Sequence, residues 1–296
     1  MWRCLLLNLM LLAQALAASG DPLSIGAYTS SERSFNTVSY WLEGSDGVVL
    51  IDTQFLSSET EKFLLAAEKA TGKKVVLALV LHPNPDKFNG TALLQQRGIK
   101  VVTSQQVKAL IPGVHRIRLG WFYKEFQPDY PRDTPDPESF GDKTRDFDIA
   151  GIKLTAHVMG PGSSGAHIVV QVGSLLFVGD LVSHGAHAWL ELGLVDEWLA
   201  RLNQLKVLNS SKIYPGRGAP GGPGLLDEQA GYLARVHSIV AAENPVGELG
   251  PFKKWQLKRA MIHAFPDYRY PTFMSEGLEA LWKRQAAQRK VPKPHS

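Results

Sequence analysis

Val75-Val76-Leu77-Ala78-Leu79-Val80 runs directly into Leu81-His82-Pro83-Asn84-Pro85-Asp86-Lys87-Phe88-Asn89-Gly90, and this junction decides the fold. The apolar, β-favouring run predicts a buried strand, and residues 91–97 after the junction predict a helix. A buried strand that delivers polar side chains at its carboxyl end is where α/β proteins place their chemistry. His82 and Asp86 can each offer a deprotonated lone pair to a metal. Asn84 and Lys87, between and beside them, do not fit that role.

Upstream, residues 25–28, 37–42 and 48–51 read as strands, with Gly44-Ser45-Asp46-Gly47 as a turn. They bring Asp52-Thr53-Gln54 to a strand end. Ser58 followed by Glu61 predicts a capping box and a helix to about Thr71. Alternating strands and helices over the first hundred residues predict an α/β layered fold.

Downstream, residues 113–145 show no clear periodicity and are punctuated by Pro128, Pro131, Pro135 and Pro137. They are rich in aromatic residues, so they are expected to form a packed functional loop or lid. Short strands follow at 146–149, 152–158, 168–172 and 175–178, joined by turns at Gly151 and Gly173-Ser174. A helix from Asp196, a strand at 212–214 and a helix from Leu225 complete the body of the chain. Polar groups stand at further corners of this pattern: Ser163 and Ser164 in a Gly-Pro-Gly corner, Asp180 after Val178-Gly179, and Arg217 in Pro215-Gly216-Arg217-Gly218. Just beyond Asp180, His184 and His187 are three residues apart: on a helical turn they would face one side toward a metal or ligand, and the alternative is that one caps the loop while the other packs beneath Trp189.

At 296 residues, 44% hydrophobic and 20% charged, the chain can bury a full core. Arg3, the apolar run 5–16 and Ala15-Leu16-Ala17 read as a cleavable secretory signal over residues 1–17. The expected product is exported, periplasmic or secreted. No second long apolar run follows, so no membrane span is expected after cleavage. The only cysteine, Cys4, lies within that signal, which excludes disulfides, cysteine ligands and a cysteine nucleophile from the mature chain. From Phe252 onward ten basic residues face three acidic ones, a local charge of +7 within a net +4. Trp255, Leu257, Leu278, Leu281 and Trp282 make that tail, 246–296, read as a packed amphipathic helical extension with a solvated basic face. No specific nucleic-acid binding is expected of it.

Taken together, these corners resemble the metallo-β-lactamase fold superfamily, over about residues 40–232. The resemblance implies an αβ/βα sandwich of two mixed sheets, here with a C-terminal helical tail, and a domain over 18–245. It also implies a zinc site at the strand ends, and there this chain departs from the family. In the family's His-x-His-x-Asp-His loop, His82 and Asp86 match, while Asn84 and Lys87 replace two ligands. Ser163 replaces the histidine of the Gly-Pro-Gly corner, Asp180 matches the bridging carboxylate, and Arg217 replaces the histidine of Pro-Gly-His-Gly. His167 matches a position that does not ligate.

Two adjacent carboxylates that have lost their dication need other compensation, and Lys87 with Arg217 supplies two positive charges. A zinc ion would meet those cations, so no resident metal ligand and no cofactor are expected. The leading expectation is an ion-paired pocket of His82, Asp86, Lys87, Asp180 and Arg217. This pocket is expected to bind a small anionic ligand or to act on one without metal, with His82 as the candidate general base, the cations holding the anion, and Asn84, Ser163, Ser164, His184 and His187 as further contacts. A zinc-dependent hydrolase of an ester, lactam, thioester or phosphoester, using His82, Asp86 and Asp180, is the second expectation. A non-enzymatic module that binds a protein partner is the third.

Overall fold

The computed structural model describes residues 23–290; the expected signal, 1–17, and the end of the tail, 291–296, lie outside the described residues. Two mixed sheets face each other. The first holds β1 (Ser24–Thr29), β2 (Val38–Glu43), β3 (Val48–Ile51), β4 (Val75–Leu79), β5 (Lys100–Thr103) and β6 (Glu138–Ser139), in that order. Its first three strands are antiparallel, and β3 to β6 run parallel. The second sheet is built from β7 (Arg145–Ile149), β8 (Ile152–Met159), β9 (His167–Val172), β10 (Leu175–Ser183) and β11 (Lys212–Arg217), in the order β11-β10-β9-β8-β7. Only its β10–β11 pair is parallel.

Side chains alternate across a strand, so one strand can feed two cores. β9 does this: Ile168 and Val170 join the core between the sheets, and Val169 joins the core on the outer side. Helices α1 (Ser57–Thr71), α2 (Pro85–Phe88), α3 (Thr91–Gln96) and α4 (Gln105–Phe126) accompany the first sheet. The outer core is closed by α5 (Val195–Lys206), α6 (Gly224–Ala242), α7 (Pro251–Ala264), α8 (Pro271–Glu276) and α9 (Leu278–Lys290). The layers are those of an αβ/βα sandwich with C-terminal helices, as expected.

Three local expectations are corrected. The Ser58–Glu61 capping box does not form, since α1 starts at Ser57 and its N-cap, Leu56, makes no side-chain cap. Asp129 does that work from a distant segment, accepting from Ser58 N at 2.7 Å and from Ser58 Oγ at 2.5 Å. A carboxylate at a helix N-terminus satisfies free N–H groups and meets the positive end of the helix dipole.

The stretch expected to be irregular is helical through Phe126, capped by Ser104 Oγ accepting from Val107 N at 3.2 Å. Its buried face is Val107, Ile111, His115, Arg118 and Phe126, a helical period disguised by two polar members. Pro112 sits inside this helix. The ~3 kcal/mol that an interior proline costs must be offset by this packing.

In the tail, Leu257, Leu278, Leu281 and Trp282 are buried as expected, but Trp255 is 51% exposed. It stacks on Phe252 instead of entering the core.

Candidate functional site

The carboxyl ends of the central strands converge at one edge of the sandwich. β3 leads directly into Asp52, which takes a left-handed backbone conformation (φ 66°) and accepts from Leu81 N at 2.9 Å. β4 continues through Leu81 to His82, and the short α2, with Pro85 in its first turn, presents Asp86 and Lys87. From the other sheet, β10 breaks register around Gly179 and turns Asp180 inward. β11 ends at Arg217 beside it. All six side chains are buried.

Lys87 Nζ lies 3.0 Å from Asp180 Oδ1, 3.1 Å from Asp86 Oδ2 and 3.8 Å from Asp52 Oδ2. Arg217 bridges the same two aspartates, donating to Asp180 Oδ2 at 2.5 Å and to Asp86 Oδ2 at 2.7 Å. Thr37 Oγ1 donates to Asp86 Oδ2 at 3.0 Å. Burial alone would raise both carboxyl groups, but for Asp86 the Lys87 and Arg217 charges outweigh it and hold the pKa below the ordinary range. Asp180 is held well below that range by Arg217 and Lys87, again against burial. Lys87 is shifted up, because Asp180, Asp86 and Asp52 together overcome its desolvation. Asp52 differs: burial dominates, and its pKa is pushed up to about 7. The sequence-based balance of two acids against two bases omitted Asp52, so the cluster holds three carboxylates.

His82 Nε2 lies 3.7 Å from Asp180 Oδ2, and its Nδ1 meets Ser164 Oγ at 3.1 Å. Ser164 N donates to His167 Nε2 at 3.0 Å, and Ser163 Oγ is 3.4 Å from the same nitrogen. Burial, with His82 beside it, holds the His167 pKa well below the ordinary value. Asp180, His82 and Ser164 thus stand in the order of a relay to a serine nucleophile. Neither His82 nor Ser164 lines the cavity described below, so a substrate held there meets no nucleophile from this relay.

His184 and His187 do not share a face. β10 ends at Ser183 and Gly185 turns the chain with positive φ, so no helical turn forms. His184 is exposed, with Nδ1 2.9 Å from Ala219 O. His187 points into the outer core, its Nδ1 3.1 Å from Tyr232 Oη and its ring against Phe265 and Tyr268. Burial lowers its pKa to about 4. The expectation that this pair acts on one metal or ligand is overturned.

Above the ion cluster opens a cavity of about 320 Å³, with Asp86, Asp180 and Arg217 in its lining and Asn84 and Pro85 beside them. Its collar is a closed circuit of six rings, Phe35, Phe55, Phe122, Trp121, Trp189 and Phe273. Neighbouring centroids in this circuit are 5.2 to 6.5 Å apart. Such spacings are those of mutually attracting edge-to-face and tilted rings. Arg118 pins the Trp side, its guanidinium 4.2 Å from the Trp121 ring centre and 5.2 Å from that of Trp189, while pairing with Glu191. The sequence reading found the ion cluster and missed this collar. Its members come from five separated segments with no shared period, and only the aromatic richness of 113–145 hinted at it.

The donor set does not fit a divalent ion. The carboxylate oxygens of Asp86 and Asp180 that would face a metal are already in contact with an ammonium and a guanidinium. Among the described residues, no group of three or more His, Cys, Asp or Glu side chains is arranged to hold one. At an effective dielectric of ~20, a dication ~4 Å from one positive charge is repelled by about 8 kcal/mol.

Backbone space at the cluster is equally tight. A Cβ at Gly216 would stand 2.2 Å from Asp180 Oδ1 and 3.0 Å from Lys87 Nζ. Gly216→Ala is therefore expected to cost about 2 kcal/mol or more in unfolding free energy. Urea denaturation measures this, and an unchanged midpoint contradicts the packing described.

Comparison with known proteins agrees with the architecture. The metallo-beta-lactamase from Pontibacter korlensis aligns with a TM-score of 0.56 at 22% identity, covering 72% of this chain and 99% of that one. The DIM-1 metallo-beta-lactamase aligns with a TM-score of 0.56 at 16% identity, covering 73% and 94%. At these identities the likeness is one of fold. No curated protein sequence matches the chain. The family model of the metallo-beta-lactamase superfamily matches residues 33–217, a stretch that runs from before β2 to the end of β11 at Arg217, and by that match the chain belongs to this superfamily.

Proposed function

We propose that this protein is an exported, metal-independent binder of a small molecule. In it, ion pairs fill the superfamily's metal position and form the floor of a ligand cavity. The observation that carries this reading is the placement of Lys87 Nζ, at 3.0 and 3.1 Å from Asp180 and Asp86, with Arg217 clamped to both. Removing a metal from this fold also removes its means of making hydroxide near neutral pH. His82, the base expected from the sequence, does not line the cavity and is fully buried. Binding is therefore better supported than hydrolysis. Export rests on Arg3, the apolar run and Ala15-Leu16-Ala17. No helix among the described residues is long and apolar enough to cross a membrane.

The anionic ligand expected from the sequence loses its support. Lys87 is fully buried and faces three carboxylates, and both terminal nitrogens of Arg217 already serve aspartates.

Hydrolysis assays test the proposal. Mature protein is offered a chromogenic lactam, ester, thioester and phosphodiester, each with added zinc and with chelator. Turnover at the level of the buffer blank in every arm is the expected result. Turnover that zinc restores and a chelator removes selects the metal-dependent hydrolase instead.

A further inference from the structure

We propose that the cavity selects an uncharged, ring-bearing molecule carrying one hydrogen-bonding group, which the Asn84 carboxamide receives, and that it discriminates against anions. This inference rests on the small-molecule reading above and adds the chemical class of the ligand.

Shape and charge both point this way. The six-ring collar offers flat, polarisable walls that bury an aromatic guest by stacking and edge contacts. Among the described residues that line the cavity, both cations stand in ion pairs, with Nε of Arg217 the donor left over. Arg217 is held by Asp86 and Asp180, and Arg118 by Glu191. Beneath the floor, Lys87 is shared by three carboxylates. Glu276 adds an exposed carboxylate to the lining. An entering anion would lose its hydration and meet these carboxylates with no unpaired cation to compensate.

Asn84 provides the polar contact. It is 8% exposed, lines the cavity, and its carboxamide makes no hydrogen bond among the described residues. The Asn84 amide atoms are accessible from the cavity rather than sealed in the core, so a ligand carbonyl, amide or hydroxyl can reach them and hydrogen-bond there. Only the backbone of Asn84 is committed, its N donating to His82 O at 2.9 Å and its O accepting from Lys87 N at 2.9 Å. The side chain is thus held at the cavity wall by a fixed main chain.

The test uses three probes of one ring system with the full mature protein: 2-acetylnaphthalene, its near-isostere 2-naphthoate, and naphthalene. Equilibrium dialysis measures each. The ketone is expected to bind at least about tenfold more tightly than the carboxylate. Asn84→Ala should weaken the ketone about five- to tenfold and leave naphthalene unchanged. Trp189→Ala, with its fold checked by circular dichroism, should weaken both neutral probes. Equal or tighter binding of 2-naphthoate overturns the inference and leaves the small-molecule reading standing. Ketone affinity indifferent to Asn84→Ala also overturns it. Binding of none of the three probes overturns both.

Discussion

Lys87→Ala is expected to lower the unfolding free energy by about 3–5 kcal/mol, the range found when one partner of a buried ion cluster is removed. The ammonium is fully buried and stands among Asp52, Asp86 and Asp180, so its loss leaves three buried carboxylates facing one guanidinium. The same change opens the space in front of His82, Asp86 and Asp180. Arg217 still clamps Asp86 and Asp180 after this change, so added zinc should leave the melting midpoints of variant and wild type alike where they were. Denaturation with and without zinc checks both parts. A variant as stable as the wild type would show that Lys87 is not the compensating charge.

Asp52 supplies the second large effect, and its sign is opposite to that of its neighbours. Its pKa rises from an ordinary 3.8 to about 7, mainly through burial. Between those values the folded protein keeps a proton that the unfolded chain releases. Stability from this group is full below the lower value and is lost as pH rises through the upper one. A shift of that size corresponds to about 4 kcal/mol. Asp86 and Asp180, shifted down, behave the other way: their contribution stands above the ordinary carboxylate range and is lost as pH falls through their depressed values. Buried His167 and His187, with lowered pKa values, make stability rise with pH over the mildly acidic range, so the Asp52 effect is read as a difference. Urea unfolding should show the stability of the wild type relative to Asp52→Asn falling as pH rises toward about 7. Asparagine can still accept from Leu81 N, so the backbone anchor survives. An identical pH slope in both proteins contradicts this assignment.

Much of the fold was legible because strand signals are local. The apolar run into His82 and the strand 48–51 stand in the structure as β4 and β3. Strand ends were less legible. β10 runs to Ser183 and β11 to Arg217, past the Gly and Pro residues that read as breakers. Those residues mark a bulge and a close approach rather than a stop, since Gly216 is where β11 passes against Asp180. α4 was hidden for another reason: Pro112 argues against a helix locally, and His115 and Arg118 interrupt its apolar stripe.

At the site, His82, Asp86, Lys87, Asp180 and Arg217 announced themselves as polar residues at strand ends, and the fold brings them within a few ångströms of one another. Asp52 was visible at its strand end, but only three dimensions place it 3.8 Å from Lys87. The collar was beyond sequence reading. Phe35 and Phe273 meet at 5.7 Å across most of the chain's length, and no local period encodes that contact.

Metal content tests the central claim most directly. The mature protein is purified from cells grown with ample zinc, dialysed without chelator and measured by inductively coupled plasma mass spectrometry. Ion pairs filling the metal position predict zinc, iron and manganese at background in the wild type, and in Lys87→Ala as well, where Arg217 still holds both aspartates. Stoichiometric zinc retained by the wild type through dialysis would contradict it.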